Sequence, residues 1–300
     1  MTKLRIILAL ACVAVASPAV ACDPVVVVPA ETRIDNYNSL TGGFYTEPLE
    51  IEVTNNNEPS EGSACVGRIQ FSNNGSNTQL TGPTGDRLNF LIVDADNVSN
   101  VLFNPLNPVQ SGISINIPPG KSRSVKAKLY VIGGQSAASG SYTNSITAQF
   151  VGRPNGPPGE SSPPVSVALA ASVLAVLQAN FVGTDTLSGN GRNGGINLGE
   201  ILPGMRRDLG MQLRSNAPVD VTVSSAYNGR LKRSETDQGI GYLVLLNGNS
   251  LDLATAGDLE LPTAITPGGR TNPLSIQISN FVNAPAGDYG DVITFRITAR

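Results

Sequence analysis

The sequence predicts an all-β chain folded as two tandem β-sandwiches, and three observations predict it. First, 32 of the 300 residues are glycine and 21 are proline, about 18% together against a usual ~12%, so turns are frequent. Second, short segments with apolar residues at every other position recur along the chain, the period of a half-buried strand. Third, the chain repeats itself, as a duplicated domain would. A length of 300 residues, divided by about 150 per domain, also gives two.

The elements follow in order. Lys3 and Arg5 precede an apolar run from Ile6 to Ala16, and Ala19-Val20-Ala21 ends it. This reads as a secretory signal over residues 1–21, too short to span a bilayer. The mature chain would begin at Cys22, with about 18 basic residues against 23 acidic ones. No block of like charge stands out, so a nucleic-acid partner has no electrostatic footprint. Cys22 and Cys65 remain as an even pair in an exported chain. They read as a disulfide closing a loop of about 44 residues. The rival reading is a lipidated Cys22, which would strand Cys65 and which wants a larger aliphatic residue where Ala19 stands.

In the first copy, alternating segments lie near 47–55, 64–72, 88–95, 112–117, 124–132 and 142–151. Clusters such as Asn73-Asn74-Gly75 and Pro118-Pro119-Gly120 separate them, and no helical stretch intervenes, which favours a sandwich. A Pro/Gly/Ser-rich run over 151–164 marks the boundary between the copies. The duplication itself is carried by four blocks. Leu49–Asn55 matches Leu209–Ser215, Arg68–Ser72 matches Asp220–Ser224, and Leu88–Asn97 matches Ile240–Asn249. Gly140-Ser-Tyr142 with its following strand matches Gly287-Asp-Tyr289 with Ile293, Phe295 and Ile297. The predicted domains are 22–164 and 165–300.

Between the copies, the odd positions from Val165 to Leu177 are all apolar. A buried helix is the alternative, but Pro163-Pro164 and the clean alternation favour a strand. Residues 165–170 precede the second copy, whose first clear element begins near Gly194, and have no counterpart before the first. The economical arrangement has Val165, Val167 and Leu169 completing the first sandwich as its last strand. The second is then left open along its closing strand, at Ile293, Phe295 and Ile297. An open apolar edge invites another chain to add a strand.

The chemistry excluded is equally informative. Without histidine there is no Ser-His-Asp or Cys-His pair and no imidazole metal ligand. No cofactor or metal site is expected. Asp94-Ala-Asp96-Asn97 lacks the glycine and distal glutamate of a calcium loop and reads as a hairpin turn. Gly189–Gly195 is glycine-rich without a following helix, so it reads as a surface loop rather than a phosphate cradle. Paired carboxylates acting on glycans are the remote enzymatic alternative. The segment Val101–Val109, with two prolines, reads as a loop. Either it plugs the end of the sandwich, or Leu102, Phe103 and Leu106 form a hydrophobic binding surface.

The closing strand Gly287-Asp-Tyr289-Gly-Asp291-Val-Ile-Thr-Phe295, the segment Tyr242–Gly248 and the early pair Cys22 and Cys65 carry a family resemblance. The chain resembles the spore coat protein U-like domains of archaic chaperone–usher pili, in two copies covering nearly all of the mature sequence. The resemblance implies immunoglobulin-like, pilin-type sandwiches assembled by donor-strand complementation. It also implies a non-enzymatic tip subunit, exported through the periplasm to the cell surface and mediating attachment or biofilm formation. The implied partners are the donor strand of an adjacent pilin subunit, a periplasmic chaperone, an outer-membrane usher and an unidentified surface or receptor. A secreted or surface-anchored structural sandwich outside any pilus is the alternative.

Overall fold

A computed structural model of the chain describes residues 21–60, 62–73, 78–107, 112–153, 160–188, 193–234, 236–266 and 268–300. The signal segment up to residue 20, the middle of the 151–164 run and residues 189–192 of the glycine-rich loop lie outside them. No helix occurs among the described residues. The chain is all-β, as its composition and alternation predict.

The first twelve strands are β1 (Pro24–Val27), β2 (Thr32–Tyr37), β3 (Phe44–Asn55), β4 (Cys65–Asn73), β5 (Leu80–Thr81), β6 (Arg87–Leu88), β7 (Phe90–Asp94), β8 (Val101–Phe103), β9 (Ile113–Ile117), β10 (Ser122–Ile132), β11 (Gly140–Gly152) and β12 (Val165–Val173). One sheet runs β1-β3-β10-β7-β8 and the other β2-β12-β11-β4-β9. Alternation explains why they stack. Leu49, Ile51 and Val53 of β3 are fully buried while Glu50 and Glu52 point to water. They meet Ile69 and Phe71 of β4 and Ile146, Ala148 and Phe150 of β11 in one core.

The other twelve are β13 (Leu177–Val182), β14 (Thr186–Ser188), β15 (Asn193–Gly195), β16 (Arg206–Ser215), β17 (Val219–Ser225), β18 (Arg230–Arg233), β19 (Gly239–Leu246), β20 (Asn249–Leu251), β21 (Gly257–Leu261), β22 (Arg270–Ile278), β23 (Tyr289–Gly290) and β24 (Ile293–Ala299). Here the larger sheet runs β13-β16-β22-β19-β18-β23, and the smaller one is only β21-β17-β24. A second, separate core lies between them.

The two halves share the order of their central strands, β1-β3-β10-β7 matching β13-β16-β22-β19 and β9-β4-β11 matching β21-β17-β24, and much of their burial register. Leu49, Ile51, Val53 and Asn55 correspond to Leu209, Met211, Leu213 and Ser215, and all but Leu209, which is half-buried, are buried. The closing turns also correspond in detail. Tyr142 donates its hydroxyl to the Ala138 carbonyl at 3.0 Å, and Tyr289 donates to the Pro285 carbonyl at 2.8 Å. Each tyrosine follows a glycine with positive φ, 137° at Gly140 and 153° at Gly287. A Cβ at either glycine would be strained.

The apolar run 165–177 needs a correction. It is two strands in two sandwiches, not one continuous element. Alternation ends at Val173, Leu174 and Ala175 are exposed, and the Leu174 amide bonds to the Tyr37 carbonyl at 2.9 Å. Leu177 then opens β13, which pairs with β16 from Leu177↔Ser215 to Val182↔Gly210. The second core therefore begins well before Gly194, because β13 presents Ala179 and Phe181 to it.

Candidate functional site

The site is defined by what the two sandwiches do differently at the same place. In the first, β11 is an interior strand. It pairs with β4 on one side, from Ile146↔Asn73 to Gly152↔Gly67. On the other side it pairs antiparallel with β12, from Gly140↔Val173 to Ala148↔Val165. β12 in turn pairs in parallel with β2, where Leu169 faces Thr32. Val167 and Leu169 are 0% and 1% exposed, and Val165 is half-buried against the same core.

In the second sandwich, β24 holds the place of β11. It pairs with β17 from Val219↔Ala299 to Ser225↔Ile293, and no strand among the described residues lies along its other edge. The hydrogen-bond phase decides which groups are left. Val292 accepts from the Ala226 amide and Arg300 donates to the Pro218 carbonyl, so even-numbered residues face β17. Ile293, Phe295, Ile297 and Ala299 therefore turn their N–H and C=O groups to the open edge. The side chains of Ile293, Phe295 and Ile297 point inward and are only half-buried. One row of residues thus offers both unpaired main chain and incompletely covered apolar surface.

Beside this edge lies a cleft of about 1120 Å³ that reaches into the core. It exceeds the ~300–1,000 Å³ of ordinary small-molecule sites. Phe181, Leu231, Ile240, Val244, Leu274 and Ile276 line it together with Ile293 and Phe295. Phe181 of β13 meets Phe295 across it, ring centroids 5.0 Å apart and tilted by 58°.

One end of the cleft is polar. The Asp291 carboxylate accepts from the Tyr242 hydroxyl at 2.8 Å, the Ser225 hydroxyl at 2.6 Å and the amides of Tyr227 and Val292 at 3.2 and 2.6 Å. Burial pushes the Tyr242 hydroxyl well above its ordinary value, the Ser225 hydrogen bond draws it partly back, and Asp291 raises it again. With its oxygens occupied in this way, Asp291 closes the end of the cleft as a structural acceptor.

The remaining sequence candidates fall as follows. Cys22 and Cys65 are disulfide-bonded, with Cα atoms 5.1 Å apart. The bond ties the chain just ahead of β1 in one sheet to the first residue of β4 in the other. Leu102 and Phe103 correct the hydrophobic-loop alternative. They form β8, paired with β7, and are each 1% exposed; of the three, only Leu106 stands in solvent, at 58%. The prolines misled here, because the strand ends before Pro105. Asp94 closes the β7–β8 hairpin, accepting from the Asp96 amide and the Asn100 side chain.

Sequence reasoning missed a polar clasp at the start of the second sandwich, near where Cys22 and Cys65 stand in the first. Asn216 accepts from the Val176 amide at 2.8 Å and donates to the Leu174 carbonyl at 2.7 Å. The single Ser215 hydroxyl proton has the Ala217 carbonyl at 2.8 Å and the Val176 carbonyl at 3.1 Å as acceptors. The available signal was a polar pair, Ser215-Asn216, at the end of an apolar alternation, where Asn55 also stands.

No protein-family model and no curated protein matches the chain. Solved structures do. A chaperone–tip adhesion subunit pre-assembly complex from the archaic chaperone–usher Csu pili of Acinetobacter baumannii matches at 14% identity, over 91% of this chain and 99% of that one, with a TM-score of 0.42. The CupB6 tip adhesin of Pseudomonas aeruginosa matches at 12% identity over 92% and 93%, TM-score 0.41. CfaE, the adhesive subunit of CFA/I fimbria of enterotoxigenic Escherichia coli, matches at 11% over 91% and 94%, TM-score 0.38. Likenesses of this identity and TM-score settle no function for the chain.

Proposed function

We propose that the chain is a non-enzymatic tip subunit of a chaperone–usher fibre, serving surface attachment or biofilm formation. In this reading the second sandwich is the fibre-facing half, and its cleft accepts a donor strand from the adjacent pilin subunit. The first sandwich, complete in itself, is the half that meets a surface or receptor. Until a donor arrives, a periplasmic chaperone covers the apolar edge, and an outer-membrane usher passes the subunit to the cell surface.

A single observation carries the proposal. Two copies of one fold stand in one chain, and the edge that β12 fills in the first carries no strand in the second among the described residues. Burying three or four apolar side chains in such a cleft contributes about 5–12 kcal/mol, on the scale of a whole domain's stability. A sandwich left without them is unstable in isolation, which suits a subunit handed from a chaperone to a neighbour.

The test extends residues 22–300 after Arg300 by a short turn and a second copy of the Val165–Val173 sequence. The extended chain is expected to lose affinity for a dye that reports exposed apolar surface and to melt with a strengthened second transition. It should also cease to co-purify with a periplasmic chaperone. Identical melting and dye binding with and without the extension would remove the strand-acceptor reading.

A further inference from the structure

We infer that the outer face of the first sandwich carries a platform for a neutral sugar ring, built from Phe44, Tyr130 and Ile132 on β3 and β10. This inference rests on the reading of the first sandwich as the half that meets a surface or receptor, and it names the chemical class of that receptor.

Comparison of the two copies isolates the platform. Leu49 pairs with Ala127 in the first and Leu209 with Leu274 in the second, which aligns β3 with β16 and β10 with β22. The inward residues Tyr45 and Val131 then correspond to Met205 and Ile278, apolar in both copies. The outward residues Phe44, Thr46, Tyr130 and Ile132 correspond to Gly204, Arg206, Gln277 and Ser279. Only their neighbour Leu91, whose counterpart is Leu243, keeps its character. The fold therefore stands without these rings. In a chain with 8 Phe, 7 Tyr and no Trp, two aromatic side chains on an outer face are not explained by packing.

Phe44 and Ile132 face each other across β3 and β10, with Thr46 and Tyr130 in the next row and Leu91 beyond Tyr130 on β7. Phe44 is 66% exposed and Ile132 50%. The Phe44 ring stacks on Tyr130, centroids 5.7 Å apart and planes 16° from parallel. The backbone beneath them is held. The Ile132 carbonyl accepts from the Tyr37 hydroxyl at 3.1 Å and the Gln135 side chain at 2.9 Å, and the Gly133 amide donates to the Gly43 carbonyl at 2.8 Å. A Cβ at Gly133 would lie 2.9 Å from the Thr41 carbonyl oxygen, so the two strand ends meet this closely only with glycine there. A platform fixed in this way gives up little freedom on binding. The chain after Ile132 leads to Ser139, whose amide donates to the Asn216 carbonyl at 2.9 Å. The platform thus lies on the flank of the molecule, at the end of the first sandwich nearer the second.

Size, charge and polarity choose the occupant. The exposed apolar surface amounts to about 300 Å², against ~800 Å² on each partner of a stable protein interface. One or two sugar rings cover it, and a protein partner does not. The rows of Phe44 and Thr46 hold no charged side chain, and Lys128 in the row after them donates to the Ala95 carbonyl at 2.8 Å. The second copy has a charge in the same place, Arg206, paired with Asp208 at 2.7 Å. An uncharged ligand suits the first. The hydroxyls of Thr46 and Tyr130 have no partner among the described residues. A purely alkyl surface would strip water from them and return nothing. A pyranose ring turns the C–H bonds of one face to the negative faces of the aromatic rings and offers its rim hydroxyls to Thr46 and Tyr130.

Saturation-transfer NMR on residues 22–300 with the disulfide intact tests this, with cellobiose, lactose and N,N′-diacetylchitobiose as probes. At least one is expected to receive saturation, most strongly at the protons of one pyranose face. Phe44→Ala should weaken that binding about tenfold. Tyr130→Gln combined with Ile132→Ser should do the same, and it introduces only residues that the second copy carries at these positions. All three side chains face outward, so the first thermal transition should stay in place. Leu243→Ala, at the counterpart of Leu91, should leave binding unchanged.

Saturation of none of the three sugars would overturn the platform. Saturation that persists undiminished in Phe44→Ala would put the ligand elsewhere and overturn it equally. Sedimentation showing self-association that Phe44→Ala abolishes, with no sugar bound, would overturn it in favour of a second copy of the chain. None of these outcomes bears on the edge of β24, which the extension after Arg300 tests separately.

Discussion

Leu169→Ala probes whether β12 is an integral part of the first core. Leu169 is 1% exposed and sits between β11 and β2, facing Asn144 and Thr32. Removing a buried leucine side chain costs its transfer free energy plus the cavity it leaves, about 2–5 kcal/mol. For a unit of roughly 150 residues each kcal/mol moves the midpoint about 2–4 °C, so the first transition should fall by about 5–15 °C. The assay is calorimetry of residues 22–300 under oxidising conditions, with the two sandwiches followed as separate transitions. Leu174→Ala is the matched control one turn of chain away. Leu174 is 42% exposed, and its truncation should stay within about 0.5 kcal/mol. The second transition should not move in either variant, because Leu169 belongs to the first core alone. Equal shifts for Leu169→Ala and Leu174→Ala would show that the strand contributes no core to the first sandwich.

Other outcomes follow from the same structure. Cys65→Ser opens a loop of about 44 residues and should lower the first sandwich's stability by about 2–4 kcal/mol, read as a shift in urea midpoint that reductant reproduces in the parent chain. Asn216→Ala leaves the Val176 amide and Leu174 carbonyl without their side-chain partner; it should cost the second sandwich about 1–3 kcal/mol, seen in the second thermal transition only. Burial, foremost, raises the Tyr142 hydroxyl from 10.0 to about 12. A raised folded value means the stabilisation is complete below pH 10.0 and is lost as pH climbs towards about 12. Denaturation midpoints of the first sandwich across that window, with tyrosinate absorbance as the reporter, should show a larger loss in the parent chain than in Tyr142→Phe, where Tyr37, also raised by burial, still contributes.

Much of the fold was legible because strand alternation is a local signal. Leu49, Ile51 and Val53 announce their inward face with no reference to the rest of the chain, and the Gly-x-Tyr turns announce the repeat. Legibility failed where two physical situations share one local pattern. The odd residues from Val165 to Leu177 are uniformly apolar, yet Val173 and Leu177 belong to different cores. Likewise Val101–Val109 holds two prolines, but Leu102 and Phe103 precede them and pair with β7. Composition cannot separate a loop from a short strand whose partner lies elsewhere.

The candidate site divides in the same way. That Ile293, Phe295 and Ile297 share a face is a property of the chain itself, set by the period of two. So is the presence of a spare apolar strand between the copies. The register in which β12 seats against β11, and the meeting of Phe181 with Phe295 across the cleft, were decided only by the tertiary structure. Both depend on pairing between segments far apart in sequence, where backbone hydrogen bonds and interior volume are shared by strands that carry no mark of one another.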